Sequence, residues 1–347
     1  MAIMLAGLIT GASTVELREF PDPTPPDECI VVDVAYCGIC GTDIHAYQSG
    51  HPYNPAICGH EWSGTVSAVG GAVTSVGEGD RVVVAAAPAC GQCTACRAGQ
   101  AERCQVAFLS ALGRDAMAPP HGGFAPRLAV AATRVVRTEP GLSDEQAAQV
   151  EPMTVAFHAV RMSRLRLGDT VVVQGAGPIG LSTLQWVRAG GAGTVVAIEP
   201  NADRRAMAAA LGADHVVEPG TSATEIVAEL TRGLGADVVF ECAGRPAAIQ
   251  VAVDLARRGG AVTLVGVPDT DATINPITWL IKEIAFNASL AYFHEEFELA
   301  MGMMADGRVV VDPLHTSTAS LHGLDAALAD LASGQTDQTK VLVNPNW

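Results

Sequence analysis

The chain has 347 residues, which is long enough for two domains that each bury a core of their own. Its hydrophobic content of 49% and charged content of 17% are typical of a somewhat apolar globular protein. The net charge of −16, with no basic run, argues against a surface that follows nucleic-acid phosphates and against attachment to an anionic bilayer. We therefore expect neither a nucleic acid nor a membrane as a partner.

The first 145 residues are rich in glycine and proline and contain short valine-rich runs. Such runs between turn residues predict β-strands. The strands predicted here are Cys29–Ala35, Gly64–Val69 and Asp80–Ala85.

From Gly168 onward, short apolar runs alternate with helical stretches, which is typical of a parallel, doubly wound sheet. The predicted strands are Thr170–Gln174, Thr194–Ile198, His215–Val217, Asp237–Glu241 and Ala261–Gly266. The predicted helices are Leu181–Ala189, Asp203–Leu211, Ser222–Arg232 and Pro246–Arg257. From about Phe286 the pattern becomes mixed, and it predicts helices at Glu295–Asp306 and Leu321–Ser333 and a closing strand at Lys340–Val343.

Four cysteines form a Cys-x2-Cys-x2-Cys-x7-Cys cluster at Cys90, Cys93, Cys96 and Cys104. Closely spaced thiolates can converge on one tetrahedral ion and leave no open position, which is the pattern of a structural zinc site. Disulfides or free core thiols are the alternative interpretations. Three cysteines at successive i+3 positions are badly placed for bridging, so the spacing favours the metal.

A glycine-rich segment, Gly175-Ala-Gly177-Pro178-Ile179-Gly180, follows the first strand of the alternating region and opens a predicted helix. In this pattern the first glycine permits a tight turn, the second lets a pyrophosphate approach the backbone, and the third brings the helix against the sheet. The helix N-terminus then faces the phosphate charge. The segment predicts a dinucleotide site.

An acidic residue strengthens the prediction of a dinucleotide site. Glu199 lies 19 residues after Gly180, at the end of the next predicted strand, where a carboxylate can bond both hydroxyls of a ribose. A 2′-phosphate would be repelled there, so NAD is favoured over NADP. Arg204 and Arg205 complicate this choice because an arginine can accept the phosphate. We interpret Arg204 as covering the ribose or the adenine edge.

Candidate ligands for a second metal are spread over three segments of the chain. They are Cys40 in Cys37-Gly-Ile-Cys40-Gly-Thr42-Asp43-Ile-His45, His60 and Glu61 in Gly59-His60-Glu61-Trp62, and Glu151. A thiolate, an imidazole and a carboxylate from separate loops leave one position open, as a catalytic zinc requires.

Taken together, the motifs resemble the medium-chain zinc-dependent alcohol dehydrogenases, in particular their sorbitol, butanediol and threonine dehydrogenase branch. The resemblance extends over nearly the whole chain in order. It is carried by Cys40-Gly-Thr-Asp43, Gly59-His-Glu-x-Ser-Gly64, Gly79-Asp-Arg-Val82, the four-cysteine cluster, Gly122-Gly-Phe-Ala125, Glu151-Pro152, the glycine-rich segment and Phe240-Glu-Cys-Ala-Gly244.

The resemblance implies roles for these residues. Cys40 and His60 would be ligands of a catalytic zinc, with Glu61 as the third protein ligand. Glu151 would hold the zinc-bound water or exchange as a ligand, and which of the two carboxylates binds directly stays open. Thr42 and His45 would form a hydroxyl-to-imidazole relay that carries the alcohol proton to solvent.

The resemblance also implies an α/β architecture, with a GroES-like, mainly β catalytic domain and a Rossmann domain that has a doubly wound parallel sheet. Residues 1–150 and 287–347 would form the catalytic domain, which carries two zinc ions, one catalytic and one structural. Residues 151–286 would form the NAD-binding domain. The expected reaction is hydride transfer between NAD and a secondary alcohol, diol or polyol, or the matching ketone, in a cleft between the domains.

Two other classes stay open. A zinc-free quinone or enoyl reductase of the same superfamily would lack the ligands, and Cys40, His60, Glu61 and Glu151 argue against it. A non-catalytic NAD-binding protein on this scaffold would keep the four-cysteine cluster and lose the open site. Counting the metal ions per chain separates the three.

The remaining expectations concern compartment and assembly. Residues 1–17 lack a basic segment, no stretch approaches 18 unbroken apolar residues, and the nine cysteines suit a reducing environment, so we expect a cytoplasmic protein. The resemblance implies a homotetramer or homodimer built through the edge strand of the dinucleotide domain, and the apolar residues in Asn275–Tyr292 are consistent with this.

Overall fold

A computed structural model describes residues 2–50, 54–114 and 117–347. The strands, in chain order, are β1 (Ile3–Gly11), β2 (Thr14–Pro21), β3 (Cys29–Gly38), β4 (Glu61–Val69), β5 (Arg81–Val84), β6 (Arg127–Ala131), β7 (Val135–Arg137), β8 (Thr170–Gln174), β9 (Thr194–Ile198), β10 (His215–Val217), β11 (Ala236–Glu241), β12 (Ala256–Leu264), β13 (Ala285–Ala288), β14 (His315–Ser320) and β15 (Lys340–Asn344).

The α-helices, in chain order, are α1 (Gly41–Ser49), α2 (Thr94–Arg97), α3 (Gln105–Ala111), α4 (Asp144–Ala147), α5 (Val150–Met162), α6 (Pro178–Ala189), α7 (Ala202–Ala210), α8 (Thr221–Leu230), α9 (Pro246–Leu255), α10 (Pro276–Lys282), α11 (Glu296–Ala305) and α12 (Leu324–Ala332). None of the helices that the structure describes is both long enough and apolar enough to cross a lipid bilayer.

The chain divides into two compact units. Unit 1 comprises Met1–Glu151, Phe293–Ala305 and His315–Trp347, and unit 2 comprises Pro152–Tyr292 and Asp306–Leu314. The boundaries differ from those expected from the sequence at the C-terminal side. Edge strand β13 ends past residue 286, and the side chain of Gln185 bonds both the N–H and the C=O of Val310, which ties residues 306–314 to unit 2.

Unit 1 is built around a mixed sheet with the strand order β14-β15-β3-β4-β5-β7, and β6 also pairs with β3. Long strand β3 pairs antiparallel with β4 and with β15, so the first and last parts of the chain share this sheet. Its core includes Trp62, Phe124 and Leu128, all buried. The sheet brings the starts of β4 and β15 close to the end of β3, where the candidate ligands lie.

Unit 2 contains a six-stranded parallel sheet with the order β10-β9-β8-β11-β12-β13. Its central strands are valine-rich because both faces are covered: Val171 and Val173 pack into one core and Val172 into the other. The strand order reverses direction beside β8, and the glycine-rich segment starts there. In open α/β sheets such a point is where ligands bind.

Candidate functional site

Three of the predicted ligands converge in unit 1. Ligand atoms of Cys40, His60 and Glu61 all lie within 4.8 Å of one another. Cys40 is the residue directly before α1, His60 ends a loop, and Glu61 is the first residue of β4. One thiolate, one imidazole and one carboxylate are donors that zinc accepts, and three protein donors leave a fourth tetrahedral position open. The donor set therefore fits a catalytic zinc.

Asp43 ties together the two loops that carry these ligands. Its fully buried carboxylate accepts a hydrogen bond from the Cys40 N–H at 2.9 Å through Oδ2 and from the Gly59 N–H at 3.2 Å through Oδ1. One side chain thus fixes the backbone beside Cys40 and the backbone beside His60. Sequence analysis assigned no role to Asp43, although it stands within the Cys40-Gly-Thr-Asp43 motif.

The ring of His60 is oriented by its own loop. Nδ1 lies 2.9 Å from the Ile57 carbonyl, which can only accept, so Nδ1 carries the proton and Nε2 is the nitrogen left for a ligand bond. Burial alone would lower the pKa of His60. The negative charges of Cys40, Asp43 and Glu151 outweigh it, and the pKa is raised well above the usual value. This environment favours a cation.

Glu61 is buried beside a lysine that sequence analysis missed. Lys340, at the start of β15, donates hydrogen bonds to Glu61 Oε2 at 2.6 Å and to the Ile39 carbonyl at 3.0 Å, and both members of this ion pair are almost completely buried. Burial alone would lower the pKa of Lys340, but Glu61, Cys40 and Glu151 raise it. Position 38 is glycine, and any Cβ there would collide with the Glu61 carboxylate.

Glu151 does not belong to the converging set among the described residues. It lies in the first turn of α5 and is buried, and its negative charge raises the pKa of both His60 and Lys340. The structure thus places Glu61 in the group of converging ligand atoms. Glu151 lies outside this group and acts on it through its negative charge.

Thr42 and His45, the predicted relay residues, lie three positions apart on α1, so they share one helix face. Both are exposed, and the Thr42 hydroxyl lies 3.7 Å from Cys40 Sγ. The Thr42 hydroxyl is therefore beside the candidate metal position.

The four-cysteine cluster forms a second, closed site. The Sγ atoms of Cys90, Cys93, Cys96 and Cys104 all lie within 4.8 Å of one another, and no disulfide links these four. Backbone N–H groups point at the sulfurs: Cys90 N and Ala107 N donate to Cys104 Sγ at 3.3 and 3.4 Å.

The surroundings of these thiols shift their pKa values in opposite directions. The backbone N–H of Cys96 is the largest influence that lowers the pKa of Cys93, to about 6. Burial and the neighbouring thiols raise the pKa of Cys96 to about 12. Four sulfurs this close cannot all be thiolates unless a positive charge lies between them. Four soft donors and no open position fit a structural zinc.

The glycine-rich segment of unit 2 has the local geometry that a pyrophosphate needs. Gly175 adopts a φ of +86°, which strains other residues, and a Cβ there would press on Ala243. A Cβ at Gly180 would collide with the Gly175 carbonyl, so this glycine lets helix and strand pack closely. A Cβ at Gly177 would meet nothing within 4 Å. Pro178 and Ile179 then form the first turn of α6.

Glu199 lies directly after β9 and is buried. Its Oε2 accepts a hydrogen bond from the Ala176 N–H at 2.7 Å, and its Oε1 accepts one from the Asn201 N–H at 2.9 Å. The carboxylate therefore ties the glycine-rich segment to the start of α7. The sequence predicted the position of Glu199 but not this contact. Each oxygen keeps a second lone pair for a ribose hydroxyl.

The two arginines of α7 differ in their surroundings. The Arg205 guanidinium donates to the Glu199 and Pro200 carbonyls at 2.8 and 2.6 Å and forms an ion pair with Glu218 at 2.8 Å. The backbone N–H of Arg204 donates to the Asn201 side chain, which caps the helix. Arg205 is thus held by protein groups, and the role of Arg204 at the ribose or the adenine edge stays a prediction.

Comparison with known proteins covers both units. A family model described as the alcohol dehydrogenase GroES-like domain matches residues 26–140, and one described as zinc-binding dehydrogenase matches residues 178–306. Sorbitol dehydrogenase of Bacillus subtilis is 32% identical, with 99% of this chain and 98% of the relative covered.

Two solved structures are similar over 99% of this chain and all of theirs. The 2R,3R-butanediol dehydrogenase from Bacillus subtilis has a TM-score of 0.84 at 30% identity. A putative zinc-binding dehydrogenase from Sinorhizobium meliloti, solved with bound NADP, has a TM-score of 0.86 at 29% identity.

Proposed function

Because this chain belongs to the zinc-dependent medium-chain alcohol dehydrogenase family, we propose that it oxidises a secondary alcohol, diol or polyol, or reduces the matching ketone, with a nicotinamide cofactor. The observation that carries the proposal is the convergence of Cys40, His60 and Glu61, a three-donor set with an open position. The chain is thus an oxidoreductase that acts on CH–OH groups.

Zinc bound by Cys40, His60 and Glu61 would supply a Lewis acid that polarises the alcohol, and the nicotinamide would supply the hydride acceptor. The protein's own residues hold this arrangement. Asp43 fixes the backbone at both ligand loops, and the Ile57 carbonyl fixes the ring of His60. Glu151 adds negative charge close to the ligands and stays the alternative carboxylate donor.

The alcohol proton has to reach solvent during oxidation. We propose that the Thr42 hydroxyl accepts the hydrogen bond from the substrate hydroxyl and that His45 returns the proton to water. Thr42 lies 3.7 Å from Cys40 Sγ, and His45 is exposed on the same face of α1. An imidazole is suited to this step because its ring nitrogens can both accept and donate a proton.

The proposed cofactor is NAD rather than NADP, with Gly175, Gly177, Pro178, Ile179 and Gly180 around the pyrophosphate. The Glu199 carboxylate supports this choice, since it would accept from ribose hydroxyls and repel a 2′-phosphate. The Sinorhizobium meliloti neighbour was solved with NADP, so cofactor choice varies among similar proteins. Arg204 is proposed to cover the ribose or adenine edge.

We also propose two zinc ions per chain and a reducing compartment such as the cytoplasm. The second zinc would be held by Cys90, Cys93, Cys96 and Cys104 and would stabilise the segment that carries them. Both sites need reduced thiols, which the cytosol maintains.

Removing and restoring zinc tests the proposed function. Sorbitol, xylitol and 2,3-butanediol are offered with NAD, and NADH absorbance is followed before zinc removal by a chelator, after it, and after zinc or calcium is added back. We expect oxidation of at least one of these alcohols, its loss on chelation, and its recovery with zinc but not with calcium. An unchanged rate in protein that contains no zinc would contradict the proposal.

The last part of the proposal concerns the assembly of several copies of the chain through strand β13. Strand β13 is an edge of the parallel sheet, and helix α10 before it exposes Ile277, Leu280 and Ile281 by 56%, 73% and 64%. Contiguous exposed apolar side chains beside a sheet edge mark an interaction surface. We propose that a second copy of the chain covers this surface in a homodimer or homotetramer.

A further inference from the structure

The chain has few lysines, and one of them, Lys340, is buried beside the candidate metal centre. The sequence contains two lysines among 21 basic residues. Lys340 is 2% exposed, and its ammonium contacts Glu61 Oε2 at 2.6 Å and the Ile39 carbonyl at 3.0 Å. A buried charge is stable only when it is paired, so the contact with Glu61 is what holds Lys340 in place.

The contact between Lys340 and Glu61 also affects Glu61 as a metal ligand. Glu61 is one of the three converging donors, and one of its two oxygens is taken by the Lys340 ammonium. Cys40, Asp43 and Glu151 supply the other negative charges near the site. Lys340 cancels one unit of that charge, and it competes with a metal cation for the electrons of the Glu61 carboxylate. Both effects weaken the attraction between the site and a cation.

We propose that Lys340 is a positioning residue that limits how strongly Glu61 binds the metal, so that the fourth position stays available to substrate. This inference rests on the proposed function, because it needs a zinc ion at Cys40, His60 and Glu61. Without Lys340, the second carboxylate oxygen is released next to the ligands. Glu61 then binds zinc more tightly and competes with the alcohol for it.

The experiment compares zinc retention in Lys340→Met, Lys340→Gln and the wild-type enzyme. Zinc-loaded protein is mixed with the colorimetric chelator 4-(2-pyridylazo)resorcinol, and released zinc is followed by absorbance. Zinc release from the proposed catalytic site is identified as the phase that is absent in Cys40→Ser. We expect both Lys340 variants to hold that zinc about tenfold more tightly, because one positive charge beside the ligands is removed. The KM for the alcohol should rise as well.

Two further variants separate this role from simple loss of packing. Lys282→Met removes the other lysine, whose ammonium donates to the Val253, Asp254 and Ala256 carbonyls in unit 2. It should lower thermal stability without changing zinc release. In a Glu61→Gln background, Lys340→Met should tighten retention clearly less, because the competition for the carboxylate is gone and only the charge effect remains.

The outcomes are distinct. Unchanged or weaker zinc retention in the Lys340 variants, or tightening that is undiminished with Glu61→Gln, would overturn the inference. If Lys340→Met does not fold, Lys340→Gln decides, since it keeps N–H donors and removes the charge. If Cys40→Ser removes no release phase, the proposed zinc site itself fails, whatever the Lys340 variants do.

Discussion

Asp43, Lys340 and Glu199 are buried charged residues whose contacts could not be predicted from spacing. Asp43 fixes two ligand loops, Lys340 pairs with Glu61, and Glu199 accepts from the Ala176 and Asn201 N–H groups. Motif spacing identified the groups able to bind zinc or ribose. It could not identify Lys340, because that residue reaches the site from a strand almost 280 positions away from Glu61.

The double hydrogen bonding of Glu199 changes what its replacement should do. Glu199→Ala removes two bonds to the backbone as well as the repulsion toward a 2′-phosphate. We expect NAD binding to weaken by about 1.5–3 kcal/mol and the preference for NAD over NADP to fall. Because the glycine-rich segment also loses its anchor, NADP should not reach the affinity that the wild type has for NAD. Titration with both cofactors measures this.

A neighbouring glutamate provides the matched control. Glu218→Gln removes one negative charge at an exposed position paired with Arg205, and it should leave the cofactor ratio unchanged. If the ratio of the NAD and NADP affinities is the same in Glu199→Ala and the wild type, the assignment of Glu199 to cofactor choice is wrong.

At the scale of elements, the sequence predicted the buried strands best. Strands β8 and β9 have the predicted bounds, because apolar runs covered on both faces are short and end at turn residues, and the half-buried edge strand β10 has its predicted bounds as well. The hairpin of β1 and β2 and the strand β14 were not predicted. Most of β2 is exposed or half-buried, and β14 reads His-Thr-Ser-Thr-Ala-Ser, so their pairing comes from neighbouring strands rather than from an apolar pattern.

Helix α10 is firmly held although it exposes an apolar face. Lys282 donates to the carbonyls that end α9, and the Trp279 indole donates to Gln250 and stacks on Phe286 with ring centroids 4.9 Å apart. The exposed side chains Ile277, Leu280 and Ile281 are therefore presented on an anchored helix. Such a surface suits the proposed interface between copies of the chain.

Leu280→Asp tests this interface. A charge buried against an apolar partner surface is strongly unfavourable, so the variant should sediment as a monomer at micromolar concentration while the wild type sediments as a dimer or tetramer. Leu234→Asp is the control, since Leu234 is 72% exposed against 73% for Leu280 and lies outside the α10–β13 segment. An oligomer that survives Leu280→Asp, or one that Leu234→Asp also breaks, would refute this surface as the interface.

At the scale of the whole molecule, each group of ligands is suited to a separate chemistry. Unit 1 contains an open three-donor group and a closed four-thiol group, and unit 2 contains the glycine-rich segment with Glu199. The sequence predicted all three because each depends on local spacing or on a motif. Which carboxylate would bind the proposed catalytic zinc depends on packing between distant strands, and spacing alone could not decide it.

The most direct test of the central claim is to measure zinc content, melting temperature and NAD-linked oxidation rate in Cys40→Ser and Cys96→Ser side by side. Cys40→Ser should stay folded with one zinc per chain and lose turnover, because an open site that lacks one ligand no longer holds its metal. Cys96→Ser should melt at a lower temperature but stay active while folded, since a closed site contributes folding free energy. An active Cys40→Ser enzyme, or a Cys96→Ser protein as stable as the wild type, would contradict the account.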